Sequence, residues 1–312
     1  MEMIKKILMR ISPSFRLLVG NKQKMGILLN KIEILEKNIE SQALLNRNKL
    51  NKIAESLSKN QEEGSFISII CLIYKSTKFA KAVHDSLYEF TPKLKSGQAE
   101  LLFVANDATP EVIDYLEKEK YNYIVNKNKI ISEDALFGLG YGKPEYMSRV
   151  YKGYNFGIKN CKGDIVVLIN SDNMFSPNWL ENLLDKLDRK TIVCSQLVER
   201  MHPKFGKFPM AIAGEFGDHP SRFLEEKFLD FAKSASEDKL VLGGAYMPCM
   251  TYKINFEKVG YYPEGNIAGK TFEDIIQYGD ERLYEKLKKI GVEHVTACDS
   301  IVYHFKEGER ED

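Results

Sequence analysis

Apolar positions at the start of the chain recur with a helical period. Met3, Ile4, Ile7, Leu8 and Ile11 line one side of a predicted helix, with Lys5, Lys6 and Arg10 mostly on the other, and Ser12-Pro13 then opens a second short apolar stretch through Phe15, Leu17 and Leu18. Serine at an N-cap and proline at the first helical position mark a helix start. Residues 1–20 therefore read as basic amphipathic helices, suited to an anionic membrane surface, or else to a partner or the chain's own body. From 24 to 60 there is no proline, and Leu28, Ile32, Leu35 and Ile39 alternate steps of four and three. That spacing is the seam of a coiled coil. After a slip near Ala43 it resumes through Asn46, Leu50, Ile53 and Leu57. Residues 21–63 are expected to form one long helix that joins copies of the chain into a homo-oligomer through 24–60; the alternative is a helix folded back on the globular part.

Beyond Gly64 the pattern changes to short unbroken apolar runs. Phe66–Ile73, Leu101–Val104, Tyr123–Val125 and Ile165–Ile169 read as strands buried on both faces. Between them Phe79, Ala82, Val83, Ser86 and Leu87, then Val112, Ile113 and Leu116, then Tyr146, Met147, Val150, Tyr151, Tyr154 and Ile158 keep helical spacing. Strands alternating with helices predict an α/β fold, a doubly wound and mostly parallel sheet. In such a sheet the polar strand ends at 74–77, 106–107 and 170–173 share one rim, the edge where ligands bind. The run Asn170-Ser171-Asp172-Asn173 is the most oxygen-rich of these, and Pro177 follows it where a helix begins. It suits a hard cation and a phosphate, though the same residue types also make an ordinary solvated turn.

Composition narrows the function. Lys+Arg 45 against Asp+Glu 44 gives a net charge of +1, so no overall field favours nucleic acid. Cys71, Cys161, Cys194, Cys249 and Cys298 are scattered with no C-x-x-C pair, the usage of buried thiols in a reducing compartment. No apolar run reaches the roughly 18–20 residues of a membrane span, and no cleavable leader is evident. The expected location is the cytoplasm, with residues 1–20 the segment suited to the inner face of the cell membrane.

Five further stretches carry chemistry when read in order. Tyr154-Asn155-Phe156-Gly157-Ile158 leads through Cys161-Lys162-Gly163-Asp164 into the central strand, which Asn170-Ser171-Asp172 closes. Downstream come Leu242-Gly243-Gly244-Ala245-Tyr246-Met247, Gly279-Asp280-Glu281-Arg282-Leu283, and His304 in His-x-x-x-Gly. Over residues 66–304 this order resembles family 2 glycosyltransferases of the GT-A fold, inverting enzymes that use nucleotide-diphosphate sugars. The resemblance implies a nucleotide-sugar-binding half over 64–195 and an acceptor-binding half over 196–312. In the donor half it implies Tyr74 stacked on the base, with Asn106, Asp107, Asn155, Asn170 and Ser171 contacting the donor. Ala105 stands where the family usually has its first aspartate. Asp172 and His304 become ligands of Mn²⁺ or Mg²⁺. Gly243, Gly244 and Glu281 line the acceptor pocket, and Asp280 is the general base at a helix N-terminus, with Gly279 in place of the usual glutamate. Glu281 and the earlier Glu273-Asp274 compete for the role of base, and the aromatic stretch between 196 and 240 is expected as an acceptor lid or as plain packing. The implied acceptor is a hydroxyl of a glycan or lipid-linked glycan in bacterial surface assembly. Two alternatives stand beside this reading. One is a non-catalytic coiled-coil scaffold that binds nucleotide sugar. The other is a sugar-phosphate nucleotidyltransferase, whose glycine-rich phosphate loop Tyr74-Lys75-Ser76-Thr77 lacks.

Overall fold

The computed structural model describes residues 22–58, 65–128, 144–201, 206–208, 210–263, 278–306 and 308–309. The expected helices over 1–20 and the carboxylates of Glu273 and Asp274 lie outside these residues. The proline-free stretch forms one helix, α1 (Lys22–Ser58). Its Leu44 and Leu45 are buried in the main core, and Arg47 pairs with Glu293. The helix therefore lies back on the globular body along one side. On the predicted seam Ile32 is buried, while Leu35, Ile39 and Leu50 stay 59%, 66% and 66% exposed. Ile53 and Leu57 have no described side chains.

The apolar runs become the strands β1 (Ile67–Ile73), β2 (Ala99–Asn106), β3 (Tyr123–Asn126) and β4 (Ile165–Ile169). They pair in parallel in the order β3-β2-β1-β4. Helices α2 (Thr77–Phe90), α3 (Pro110–Lys118) and α4 (Pro144–Asn160) connect them. Past β4 come β5 (Asn173–Phe175), α5 (Trp179–Lys186), β6 (Thr191–Glu199), β7 (Ile212–Ala213), α6 (Glu225–Ala235), β8 (Leu240–Leu242) and β9 (Cys249–Tyr252). Helices α7 (Lys253–Val259) and α8 (Gly279–Lys289) and the long strand β10 (Glu293–His304) follow. One ten-stranded sheet runs β3-β2-β1-β4-β9-β6-β10-β5, with β9 antiparallel to β4 and β6 and β10 parallel to β6. This is the doubly wound, mostly parallel sheet that the strand pattern predicts.

Alternation along each strand builds two cores. Ile69 and Cys71, Phe103 and Ala105, Val167 and Ile169 face one layer with Phe79, Val83, Val112, Trp179 and Phe228 from α2, α3, α5 and α6. Ile70, Val104, Val166 and Leu168 face the other, with Tyr151, Tyr154 and Ile158 of α4 and Leu283 and Leu287 of α8. Burial on both sides is why these runs read as continuous rather than alternating. Gly157 is required where α4 crosses the sheet, because a Cβ there would come within 2.6 Å of Ile70 and 2.9 Å of Val104. In the aromatic stretch between 196 and 240, Phe223 and Phe228 pack along β10 against Tyr303, and Phe223 also against Phe305.

The strands β5 to β9 escaped the sequence pattern, and two of them show why. β6 is buried at all nine positions, yet Ser195 and Gln196 interrupt its apolar run. Inside, Ser195 Oγ meets Ser300 Oγ at 2.9 Å and Gln196 donates to the Met210 carbonyl at 2.7 Å, so both polar groups are satisfied. β5 begins at Asn173, which sequence assigns to the polar turn. Its side-chain oxygen accepts from the Asn170 amide at 2.9 Å, closing the turn so tightly that the chain re-enters the sheet beside β10.

Candidate active site

Because β1, β2, β3 and β4 run parallel, and β6 and β10 share their direction, all six end at one rim. Asp172 lies there just past β4 and is buried. Its Oδ2 stands 3.2 Å from His304 Nε2, at the end of β10, and accepts the Gly308 amide at 3.1 Å. His304 Nδ1 lies 3.0 Å from Glu199, the last residue of β6, held opposite His304 by strand register. Burial alone would push the imidazole pKa down, but Asp172 and Glu199 on its two nitrogens raise it to about 10. Burial likewise pushes Asp172 up, and the facing imidazolium wins, holding the carboxyl below the usual range. Among the described residues no group of three or more His, Cys, Asp or Glu side chains is arranged to hold an ion. Asp172 and His304 offer one carboxylate and one imidazole; with His304 protonated its Nε2 donates to Asp172, and it presents a lone pair there only once that proton is lost. Glu199 on the far nitrogen is the usual support for a ligating histidine.

The loop after β1 forms the next part of the rim. Amides of Tyr74, Lys75 and Ser76 all donate to the Glu309 carboxylate, at 2.9, 2.8 and 2.7 Å, and Ser171 Oγ donates to it at 3.1 Å. One side chain from beyond β10 thus ties the β1 loop to the Asp172 turn. The Tyr74 ring has Arg149 of α4 5.5 Å from its centroid. Arg149 in turn bonds Asp107 at 2.8 Å, and Asp107 takes the Asn128 amide at 2.6 Å and its side chain at 2.8 Å. Burial raises Asp107, but these donors outweigh it and keep the carboxylate ionised. Asn106 is buried in the same network, donating to the Arg149 carbonyl and accepting from Asn126 at 2.8 Å. Asn106 and Asp107 are thus engaged with protein partners behind Tyr74.

Asp280 enters from the other core. Its Oδ2 accepts from Tyr151 at 3.2 Å, while Oδ1 is buried with no partner among the described residues. Burial raises its pKa to about 6. Glu281, the neighbouring alternative, accepts the Tyr278 amide at 3.2 Å in a capping box, so its carboxylate is committed to the start of α8. Tyr262 stacks on Tyr151 at 5.0 Å and on Tyr154 at 6.0 Å, and Tyr154 donates to Asn170 at 3.0 Å. The Tyr154 hydroxyl, raised well above an ordinary phenol by burial, lies in the fields of both Asp280 and Asp172. Asp280 thus joins this aromatic stack through Tyr151, and the stack reaches the Asp172 turn through the Tyr154–Asn170 bond.

The remaining expectations separate. Gly243 and Gly244 follow β8, where the Gly243 carbonyl accepts Thr296 at 2.6 Å. Tyr246, three residues on from Gly243, lies in the field of Glu281 and Asp280 and accepts Tyr284 of α8 at its carbonyl. Asn155 stands apart from the donor rim, since both ends of its amide bind the Tyr262 backbone, at 3.1 and 2.9 Å. Sequence reasoning missed Glu199, Arg149, Tyr151 and Glu309 as site residues. Only Glu199 carried a signal, an acid closing a largely apolar run.

The family model described as glycosyl transferase family 2 matches residues 145–236, from α4 through α6. The matched segment, less than a third of the chain, contains Asp172 and Glu199. Among solved structures the chain is similar to a mannosyltransferase, PcManGT of Pyrobaculum calidifontis in complex with GDP-Man and Mn²⁺, at 15% identity and a TM-score of 0.46, over 86% of this chain and 66% of that one. It is also similar to S. aureus TarS 1–349, at 16% identity and a TM-score of 0.46, over 77% of this chain and 60% of that one. The same TarS segment in complex with UDP-GlcNAc gives 16% identity and a TM-score of 0.46, over 79% and 59%. The chain thus spans about two thirds or less of the length of these structures. A search of curated proteins gave no match.

Proposed function

We propose that this chain transfers a sugar from a nucleotide-diphosphate sugar to an acceptor hydroxyl with inversion, and the observation that carries this is a pair of carboxylates linked through Tyr151, Tyr262, Tyr154 and the Asn170 turn, one held below and one raised above the ordinary carboxylate pKa. Asp172, ionised beside His304, stands on the donor side. Asp280, with a raised pKa and a buried unpartnered oxygen, stands on the acceptor side. Tyr74, with Arg149 behind it, offers a face for the base. Asp172 and, after release of its Nε2 proton, His304 would hold Mn²⁺ or Mg²⁺, with Glu199 fixing the imidazole. A bound cation neutralises charge growing on the departing diphosphate. Asp280 Oδ1 takes the proton of the acceptor hydroxyl as that oxygen bonds to the anomeric carbon; the opposite bond to the diphosphate oxygen breaks, and its electron pair leaves with the nucleoside diphosphate. A base with pKa about 6 is matched to this near neutral pH. The acceptor class, a glycan or lipid-linked glycan of a bacterial surface, rests on the resemblance over 66–304.

Calorimetry with UDP, GDP and dTDP, with and without Mn²⁺, tests the donor side. One nucleotide should bind only with metal, and Asp172→Ala should abolish that binding. Equal metal-independent binding in that variant contradicts the site. On the acceptor side Asp280→Asn should keep donor binding and lose transfer by a factor on the order of 10² or more; retained transfer would move the base elsewhere.

A further inference from the structure

Gly279 is the position where this chain departs from the acidic pair expected at the start of α8. A Cβ at Gly279 would lie 2.2 Å from Tyr151 Cε2, 2.6 Å from Cζ and 2.9 Å from the hydroxyl. The tyrosine of α4 thus occupies the space that a side chain at 279 would need. Its hydroxyl does two things there: it accepts the Asp280 amide at 3.2 Å and donates to Asp280 Oδ2 at 3.2 Å. The ring is held flat against Tyr262, 5.0 Å away at an interplanar angle of 8°, and is buried. We propose that Tyr151 is the positioning residue of Asp280, substituting across the fold for the missing glutamate, and that Gly279 is what makes room for it.

The contact decides which oxygen works. With Oδ2 taken by Tyr151 and the α8 amide bound to the same hydroxyl, the carboxylate cannot rotate freely, and Oδ1 is left for the acceptor's proton. The phenol remains the donor, because burial and the neighbouring negative charge oppose its ionisation. The other titratable groups around Asp280 are Glu281 on its own helix, Tyr154, Tyr262 and Tyr246, and the buried thiols of Cys194 and Cys249. Among the described residues on other elements, the Tyr151 hydroxyl is the group that bonds the Asp280 carboxylate directly, and this contact lowers the Asp280 pKa.

The proposal rests on Asp280 being the base, and the test separates the two. Tyr151→Phe keeps the ring stack and removes only the hydroxyl. Its kcat is expected to fall about tenfold with donor KM unchanged, and the acid limb of its pH–rate profile to move to higher pH. Independently of turnover, the Asp280 carboxyl ¹³C signal should titrate at higher pH in Tyr151→Phe than in the wild type. An Asp280 titration that stays in place, with Asp280→Asn inactive, overturns the role of Tyr151 alone. Full transfer by Asp280→Asn overturns the base assignment, and with it the positioning role, whatever the titration shows. Gly279→Ala gives a second reading, since its methyl must displace Tyr151: it should lower kcat as Tyr151→Phe does, and little further loss should appear when the two are combined. Additive losses would contradict a shared mechanism.

Discussion

Asp172 is buried and Asp280 partly buried, and their surroundings drive their pKa values apart. An imidazolium faces Asp172 and holds it ionised, whereas burial, with Glu281 beside it, raises Asp280 to about 6 against the lowering hydrogen bond from Tyr151. Carboxylates separated in this way divide the labour of a site between charge stabilisation and proton transfer. A measurable consequence concerns stability. An acid whose folded pKa lies above its unfolded 3.8 binds more protons in the folded state, so its contribution is complete below pH 3.8 and is lost as pH rises through 6. Asp280→Asn should therefore match the wild type at pH 3.5 and unfold at higher temperature at pH 7.5, by a difference of no more than about 3 kcal/mol. A variant less stable at pH 7.5 would contradict the buried, destabilised carboxylate. Asp172, Asp280 and His304 were legible in the sequence because each closes a strand or opens a helix within a spaced motif. Arg149, Tyr151 and Glu309 were not, because their roles arise from contacts with residues far along the chain, such as Glu309 with Tyr74.

At the scale of elements, strand ends were the readable feature and their stitching was not. Unbroken apolar runs predicted β1 and β4 closely, but β6 was hidden by Ser195 and Gln196, whose polarity is answered only inside the fold. The segment past β10 shows the same lesson at the rim. Phe305 donates to the Asp172 carbonyl, Gly308 to its carboxylate, and Glu309 collects three amides of the β1 loop. Bonds from amides to a carboxylate are worth roughly 1.5–3 kcal/mol each when charge-assisted. Glu309→Gln keeps the shape and loses the charge. Hydrogen exchange at Tyr74, Lys75 and Ser76 should accelerate by about tenfold or more in this variant while β1 itself keeps its protection. Unchanged exchange at those three amides would show that the loop stands without its C-terminal tie.

Over the whole molecule, α1 lies back on the body, the second of the two readings of its sequence. One side, with Leu44, Leu45 and Arg47, docks on the body, and the seam side leaves Leu35, Ile39 and Leu50 open to solvent. Periodicity identified the stripe but could not tell which of two apolar sides the chain's own core would take. If the open side joins a second copy, Leu35→Glu with Ile39→Glu should halve the mass or more in light scattering while leaving the fold intact; an unchanged mass would remove the oligomer. The same long-range assembly creates the site, since Asp172 and Asp280 come from widely separated parts of the chain and from opposite cores of the sheet. The most direct test is paramagnetic broadening by Mn²⁺, added with the nucleoside diphosphate that calorimetry identifies, at the ¹³C-labelled Asp280 carboxyl. Broadening of that signal in the wild type, absent in Asp172→Ala, is the predicted result. Bound Mn²⁺ that broadens the surroundings of Asp172 and leaves the Asp280 signal sharp would contradict a shared cleft.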